Sequence, residues 1–414
     1  MSETDSAGKP LVISLCGTYL KKEMQSLYRQ IANLRNHRTK VYAERLENLE
    51  DFPLEHAEIV HMEKRERPRH RGNFLLRFWF KHVIKKWPPP IHIGMEGRET
   101  EYYHPYDLVD RLAEDEPALV HVYYGHKAVK YRRMLQDAGV PWLVSFHGVD
   151  VVKFLDQPGY REGLTRVFAE AQLVLARSES LLDRLRDLGC PEEKLRLNRT
   201  PVPLDAIEFG LRHPPEDGKW RLFQACRLIP KKGLFTTLKA LPKVVDRWPD
   251  LKFVLAGTGP DEERFREAVA DAGLENNVEL LGWVDQDRLR AEFARAHAFL
   301  HPSELTETED QEGVPNAMVE AMAAGLPILA TTHGGIPEAV EHDQDGFLVP
   351  EKDHEALADA ILKLLDSPDT LARFSQQAHD SVTEKFGFEQ QIGALEACYA
   401  EAIESGRESL VNAE

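Results

Sequence analysis

The chain has 414 residues, more than one hydrophobic core ordinarily serves, so two or three domains are expected. Hydrophobic residues make up 42% and charged residues 29%, the balance of a soluble globular protein. A formal charge of −17 offers no basic field to a phosphate polymer, which excludes nucleic acid as a partner.

The polar start MSETDSAGKP and the short apolar run Leu11–Cys16 do not make a signal sequence. No stretch approaches the roughly 18 apolar residues of a membrane span. Cys16, Cys190, Cys226 and Cys398 are far apart and form no CxxC pair, as reduced structural thiols would. The expectation is a cytoplasmic protein, attached at most peripherally to a membrane.

In chain order, LVISLCG (11–17) reads as a buried strand and 22–34 as a helix. Strands follow at ALVHVYY (118–124), WLVSF (142–146) and LVLAR (173–177), separated by helices at 128–138 and 180–188. This alternation predicts a parallel sheet covered by helices. The stretch 200–220, TPVPLDAIEFGLRHPPEDGKW, is rich in proline and lacks a period, as a linker does. The alternation then restarts with WRLFQACR, LKFVLAG, VELLGW, AFLHPS, LPILAT and GFLVP. Helices are expected at 233–246, 261–272 and 315–324, and from about 354 onward. The fold class is therefore α/β, with two Rossmann-like doubly wound domains facing across a cleft. The expected divisions are 1–200, a linker at 201–219, 220–385, and a C-terminal helix at 386–414. Ligands of such folds bind at the carboxyl ends of the strands.

Four motifs fall at those ends. CRLIPKKG (226–233) brings Arg227 and Lys232 to a helix start, where dipole and free amides favour a diphosphate; two solvated loop cations remain the plain alternative. VLAGTGPDEE (254–263) fails the dinucleotide fingerprint, because Glu262 stands where the third glycine belongs. That departure speaks against a nicotinamide dehydrogenase. In GLPILATTHGGIPEAV (325–340), Gly334 and Gly335 permit close backbone approach to a ligand, although an ordinary strand-to-helix turn reads the same. In EDQEGVPNAMVEAMAAGLP (309–327), Glu312 precedes a helix opened by Pro315 and Glu320 lies on it. Eight helical residues span roughly 12 Å, comparable to the reach from a ribose to a sugar beyond its diphosphate. Chance alone supplies such a pair easily.

Taken together, RLIPKKG, VLAGTGP, HPSELTETEDQEGVPNAMVEAMAAGLPILATTHGGIPE and DGFLVP closely resemble the C-terminal half of glycosyltransferase family four. The likeness is dense over about 219–350, and EGVPNA looks most like the colanic-acid-type enzymes of bacterial polysaccharide assembly. It implies a retaining GT-B enzyme that moves a hexose from a nucleotide sugar to an acceptor hydroxyl without a metal or other cofactor. A UDP-sugar is favoured over a GDP-sugar, and the acceptor would be a sugar or lipid-linked sugar. The resemblance assigns Glu320 to the ribose, Glu312 to the donor sugar, and Arg227 and Lys232 to the diphosphate. The amides from Gly313 through Val314 to Asn316 would face pyrophosphate and sugar.

In the N-terminal half, VSFHGVD (144–150) matches the family strand that ends at the cleft, which makes His147 a catalytic candidate beside Glu312. A lone histidine is more often structural; the strand-end position next to Gly148 favours the site. Gly17, in CGTYLKK, is the one glycine kept of a loop that carries paired glycines in some relatives. His121 matches the first histidine of a His-x-His pattern whose second position here is Tyr123, and is not assigned to the site. Retention by double displacement needs a carboxylate beneath the sugar. None stands out in the N-terminal half, so a front-face reaction assisted by the leaving phosphate is expected. The rival readings are a GT-B phosphorylase, a synthase of a small soluble glycoside, and a non-catalytic nucleotide-sugar-binding partner.

One segment departs from the acidic background. KRERPRHRGNFLLRFWFKHVIKKW (64–87) carries aromatic and aliphatic residues at three- and four-residue spacing among cations. It fits either an anionic membrane surface or a helix packed into the N-terminal core.

Overall fold

The computed structural model describes residues 8–21, 24–54, 57–65, 104–152, 154–306 and 312–411. The basic segment 64–87 lies outside them except for Lys64 and Arg65. In the first domain, β1 (Leu11–Cys16), β2 (Arg38–Ala43), β3 (Glu58–His61), β4 (Leu119–Tyr123), β5 (Trp142–Phe146), β6 (Val174–Ala176) and β7 (Leu195–Leu197) form a parallel sheet in the order β3-β2-β1-β4-β5-β6-β7. In the second, β8 (Arg221–Ala225), β9 (Lys252–Ala256), β10 (Val278–Gly282), β11 (Ala298–His301), β12 (Ile328–Thr331) and β13 (Gly346–Val349) are ordered β10-β9-β8-β11-β12-β13, again all parallel. Each order reverses beside its first strand, at β1/β4 and β8/β11, so a crevice opens there at the strands' carboxyl ends.

The first sheet is flanked by α1 (Gln25–Ala32), α2 (Leu108–Asp115), α3 (Gly125–Ala138), α4 (Tyr160–Glu170) and α5 (Glu179–Asp187). The second carries α6 (Leu234–Arg247), α7 (Glu262–Asp271), α8 (Gln286–Arg295), α9 (Asn316–Ala323), α10 (Ile336–Ala339), α11 (His354–Leu365) and α12 (Pro368–Phe386). All residues of β1 and β4 are buried, since helices cover both faces, and this produces their continuous apolar runs. The polar exception in β4 is His121, whose Nδ1 lies 2.7 Å from the Tyr399 hydroxyl and whose Nε2 lies 2.6 Å from Ser145 Oγ. Both ring nitrogens are thus used inside the core.

The chain crosses between domains twice. The outward crossing is the 198–220 stretch, and the return is at Gly387, where α12 gives way to α13 (Phe388–Val411). On α12, Phe374, Ala378, Val382 and Phe386 belong to the second domain's core. On α13, Leu395, Cys398, Tyr399, Ala402 and Ile403 pack against Val12, Leu119, Leu143, Leu173 and Leu175 of the first sheet. Each large apolar side chain buried this way contributes about 1.5–3 kcal/mol, which ties the end of the chain to its beginning.

Several elements go beyond the sequence reading. β2 and β3 lie at one edge of the first sheet and keep half-exposed residues, so RTKVYA and EIVH show no long apolar run. α8 reads as a charged stretch because its apolar buried positions are only Leu289 and Phe293, although Asp285 caps it by accepting the Arg288 N–H at 2.8 Å. The sequence reading likewise contains no element at α2, α4 or β7, and α1 ends at Ala32 where the expected helix runs to 34.

Candidate active site

The carboxyl ends of both sheets border one cavity of about 900 Å³, within the roughly 300–1,000 Å³ of small-molecule sites. The first domain contributes Gly17 after β1, Tyr124 after β4, His147 after β5 and Arg177 after β6. The second contributes Arg227, Lys231 and Lys232 after β8, His301 at the end of β11, the loop Glu312–Pro315, and Asn316 at the start of α9.

Lys232 is buried and its ammonium forms an ion pair with Glu312. Its place is fixed from behind: Gln224 Nε2 donates to the Lys232 carbonyl at 2.9 Å, and Thr237 donates to Gln224 at 3.0 Å. Burial alone would raise the Glu312 pKa, but Lys232, His301 and Lys231 overcome this and lower it to about 2. The carboxylate therefore stays charged. Arg227 is exposed on the cavity wall and has no ion pair among the described residues.

The Glu312 loop is held by a second tier. The Glu312 N–H donates to His333 Nε2 at 3.0 Å, and His333 Nδ1 lies 2.8 Å from Glu351 Oε1. A carboxylate only accepts, so Nδ1 carries the proton and Nε2 is free to accept from Glu312. Gly334 and Gly335 act here too, against the Glu312 loop. A Cβ at Gly334, where φ is +54°, would sit 2.1 Å from the Glu312 carbonyl oxygen, to which Gly335 also donates. Likewise the GTG turn supports the Arg227 loop: a Cβ at Gly257 would lie 1.8 Å from the Cys226 carbonyl oxygen. Both glycine motifs bring one loop close to another.

On the opposite wall, the His147 ring stacks on Tyr124 with centroids 4.2 Å apart. Its Nε2 is buried without a hydrogen-bond partner among the described residues. Burial, then the Arg177 cation, hold its pKa well below the ordinary histidine value, so the ring is neutral. His301 shares this state, lowered to about 3 by burial and Lys232, with both nitrogens buried and unpartnered among the described residues. Gly17 lies under the Lys127 side chain: a Cβ there would stand 2.2 Å from Lys127 Cε. That chain runs over the β1 turn to pair with Glu44 at 2.9 Å.

Of the residues singled out in the sequence, Gly17, His147, Arg227, Lys232, Glu312, Gly313, Val314 and Asn316 all line the cavity. Glu320 does not. It is buried on α9, and its Oε1 accepts from Arg29 Nη1 of the first domain at 2.7 Å. Its neighbours Ala317 and Val319 face the cavity in its place. Lys127, Arg177 and Glu351 carry no local motif that points to the site. His301 and His333 fall within the HPSELTETEDQEGVPNA and TTHGGIPE stretches, whose residue pattern assigns them no role. Among the described residues no group of three or more His, Cys, Asp or Glu could hold a metal ion, and no helix is long and apolar enough to cross a membrane.

Comparison with known proteins agrees with this architecture. Residues 211–381 match the family described as glycosyl transferases group 1, and residues 21–200 match the glycosyl transferase 4-like domain. The chain is 32% identical over 249 residues to the amylovoran biosynthesis glycosyltransferase AmsK of Erwinia amylovora, covering 59% of this chain and 60% of that protein. It is 33% identical over 170 residues to a GDP-mannose-dependent phosphatidylinositol monomannoside mannosyltransferase of Mycobacterium tuberculosis, covering 41% and 44%. The chain thus spans about 60% of the length of AmsK and less of the mannosyltransferase. Among solved structures, Anabaena HepE in complex with UDP superposes with a TM-score of 0.72 at 18% identity, over 95% of this chain and 99% of that one. WaaG, a glycosyltransferase involved in lipopolysaccharide biosynthesis, superposes with a TM-score of 0.61 at 15% identity, over 92% and 98%. The two matched domains and the paired parallel sheets show a chain built of two glycosyltransferase-type domains with the GT-B fold.

Proposed function

We propose that the cavity binds a nucleotide diphosphate sugar and that the protein transfers its hexose to an acceptor hydroxyl in bacterial polysaccharide or glycoconjugate assembly. The observation that carries this reading is the Lys232–Glu312 ion pair on one wall, with exposed Arg227 beside it and neutral His147 opposite. The two cations suit a diphosphate and the ionised carboxylate suits sugar hydroxyls. Water is replaced there by fixed charges already aimed at the leaving group.

In this reading the acceptor oxygen bonds to the anomeric carbon on the face from which the diphosphate departs. The bond from that carbon to the phosphate oxygen breaks, its electron pair goes to the diphosphate, and the acceptor's proton passes to that same oxygen. Lys232 and Arg227 stabilise the departing charge, Glu312 orients the sugar, and His147 offers an uncharged ring at the reacting centre. No metal is assigned a part. The complex of HepE with UDP supports a UDP-sugar donor, and the GDP-mannose-dependent relative keeps GDP-sugars in the screen. A lipid-linked acceptor at the cytoplasmic face of a membrane is the setting this reading expects.

The test is a thermal-shift screen against UDP, GDP, ADP and their hexose conjugates. A ligand that binds only the folded state raises Tm by mass action, so the responsive base names the donor class. Product analysis with the responding donor then reads anomeric configuration. No response to any nucleotide overturns the proposal.

A further inference from the structure

A second, smaller cavity of about 280 Å³ adjoins the first in the N-terminal domain, and His126 lines both. Its ring is held on two sides. Nδ1 lies 2.8 Å from Oδ1 of Asp150, a fully buried carboxylate whose Oδ2 accepts the His147 N–H at 3.1 Å. Phe154 stacks on the ring with centroids 4.6 Å apart and planes 17° apart. The carboxylate fixes the proton on Nδ1, so in the neutral ring Nε2 keeps a lone pair. That nitrogen has no partner among the described residues. One buried carboxylate thereby orients both His126 and the backbone of His147.

Beyond His126 the small cavity is walled by Phe154 and Tyr160, with ring centroids 5.8 Å apart, and by exposed Gln157. Tyr160 is 6% exposed, and its hydroxyl is buried without a hydrogen-bond partner among the described residues. Burial, then the nearby Asp150 charge, keep that phenol protonated and therefore a donor. Aromatic faces with a few convergent hydrogen-bonding groups suit the apolar face and hydroxyl edge of a pyranose. The volume lies just under the roughly 300–1,000 Å³ of drug-sized sites, enough for one sugar ring.

We propose that this cavity is a subsite for a single pyranose unit of a saccharide acceptor, with His126 as the positioning residue that accepts a hydrogen bond from its hydroxyl at the junction with the donor cavity. The inference rests on the glycosyltransferase reading for its direction and stands on the cavity for its geometry.

The experiment is saturation-transfer NMR with a panel of methyl α- and β-hexopyranosides, run beside nucleotide thermal shifts on the same samples. At least one glycoside binds the full chain, and Gln157→Trp, a substitution at an exposed position whose indole fills the cavity, weakens that binding tenfold or more. The nucleotide shift of Gln157→Trp equals that of wild type, which shows a folded donor site. His126→Ala loses glycoside binding to a similar degree, whereas His126→Gln, whose amide oxygen also accepts, stays within threefold. No glycoside binding to wild type, or equal binding to wild type and Gln157→Trp, overturns the subsite. Absence of nucleotide shifts in wild type overturns the donor reading instead, so the two failures are distinct.

Discussion

Arg29, on the first helix of the N-terminal domain, donates from Nη1 to Oε1 of Glu320 on α9 of the other domain at 2.7 Å. Both side chains are largely buried, at 15% and 9% exposed. The carboxylate that the family resemblance assigns to a ribose is thus occupied by a cation from across the cleft. If Glu320 takes the ribose of the proposed donor, that ribose competes with Arg29, which would link nucleotide binding to this interdomain contact.

Arg29→Ala is accordingly expected to act in two directions. It leaves the Glu320 carboxylate buried and unpaired, which costs the ligand-free fold about 1–3 kcal/mol. It also frees that carboxylate for ribose, so the thermal shift produced by a saturating nucleoside diphosphate is larger than in wild type. Differential scanning fluorimetry with and without nucleotide reads both effects, and an unchanged nucleotide shift refutes the competition.

Lys232→Ala removes the cation that keeps Glu312 ionised and to which the proposed function gives the diphosphate. Hydrogen bonds to charged groups contribute about 1.5–3 kcal/mol, so nucleotide affinity should fall roughly ten- to hundredfold by calorimetry. Lys232→Arg is not expected to restore it, because a planar guanidinium does not fit the buried space of an ammonium. Full affinity in Lys232→Ala would remove this residue from the site.

His333 and Glu351 touch Glu312 and its support, and not the cavity. Glu351→Ala should lower kcat/KM for the donor by about fivefold, close to 1 kcal/mol, by loosening the His333 ring. Glu351→Gln keeps an oxygen that accepts from Nδ1–H, so it should lose less. Equal losses in the two variants would mean that the tautomer of His333 is immaterial.

The Glu338 carboxylate of α10 accepts the N–H groups of Glu179 at 2.7 Å and Ser180 at 3.0 Å, capping α5 from the opposite domain. These bonds exist only while the domains stay together. Glu338→Ala should lose about 0.5–2 kcal/mol of closure, the ordinary value of a helix cap. Small-angle scattering of the variant should show a larger radius of gyration, and an identical radius counts against a clamping role.

Stability should fall on acidification below neutrality. His301 has a folded pKa lowered to about 3 from 6.5, so below 6.5 the unfolded chain binds a proton that the folded one refuses. This contribution is complete above 6.5 and shrinks as pH drops toward 3, at ~1.4 kcal/mol per pH unit. His147 acts in the same direction. Glu312, lowered to about 2 from 4.5, adds stability above 4.5 that is lost toward 2. Urea titrations between pH 6.5 and 4.5 should give a shallower slope for His301→Asn than for wild type. Parallel slopes would show that His301 is not held neutral.

The sequence by itself determined the two α/β halves and placed Arg227, Lys232, Glu312, Gly313, Val314 and Asn316 on loops that line the cavity. Strands buried on both faces must be continuously apolar, and ligand loops must follow them, so both leave local patterns. Edge strands β2 and β3 and the charged helix α8 left none, because a half-exposed element tolerates polar residues. Tertiary structure alone decided which carboxylate faces the cleft. Arg29 and Glu320 are 291 positions apart, and their pairing depends on how two domains meet. The same holds for His126 with Asp150, and for Gly334 and Gly257, whose patterns fit either a ligand approach or a plain turn and which lie against the Glu312 and Cys226 carbonyls. Periodicity records burial along one element, whereas these contacts arise between elements and carry no period.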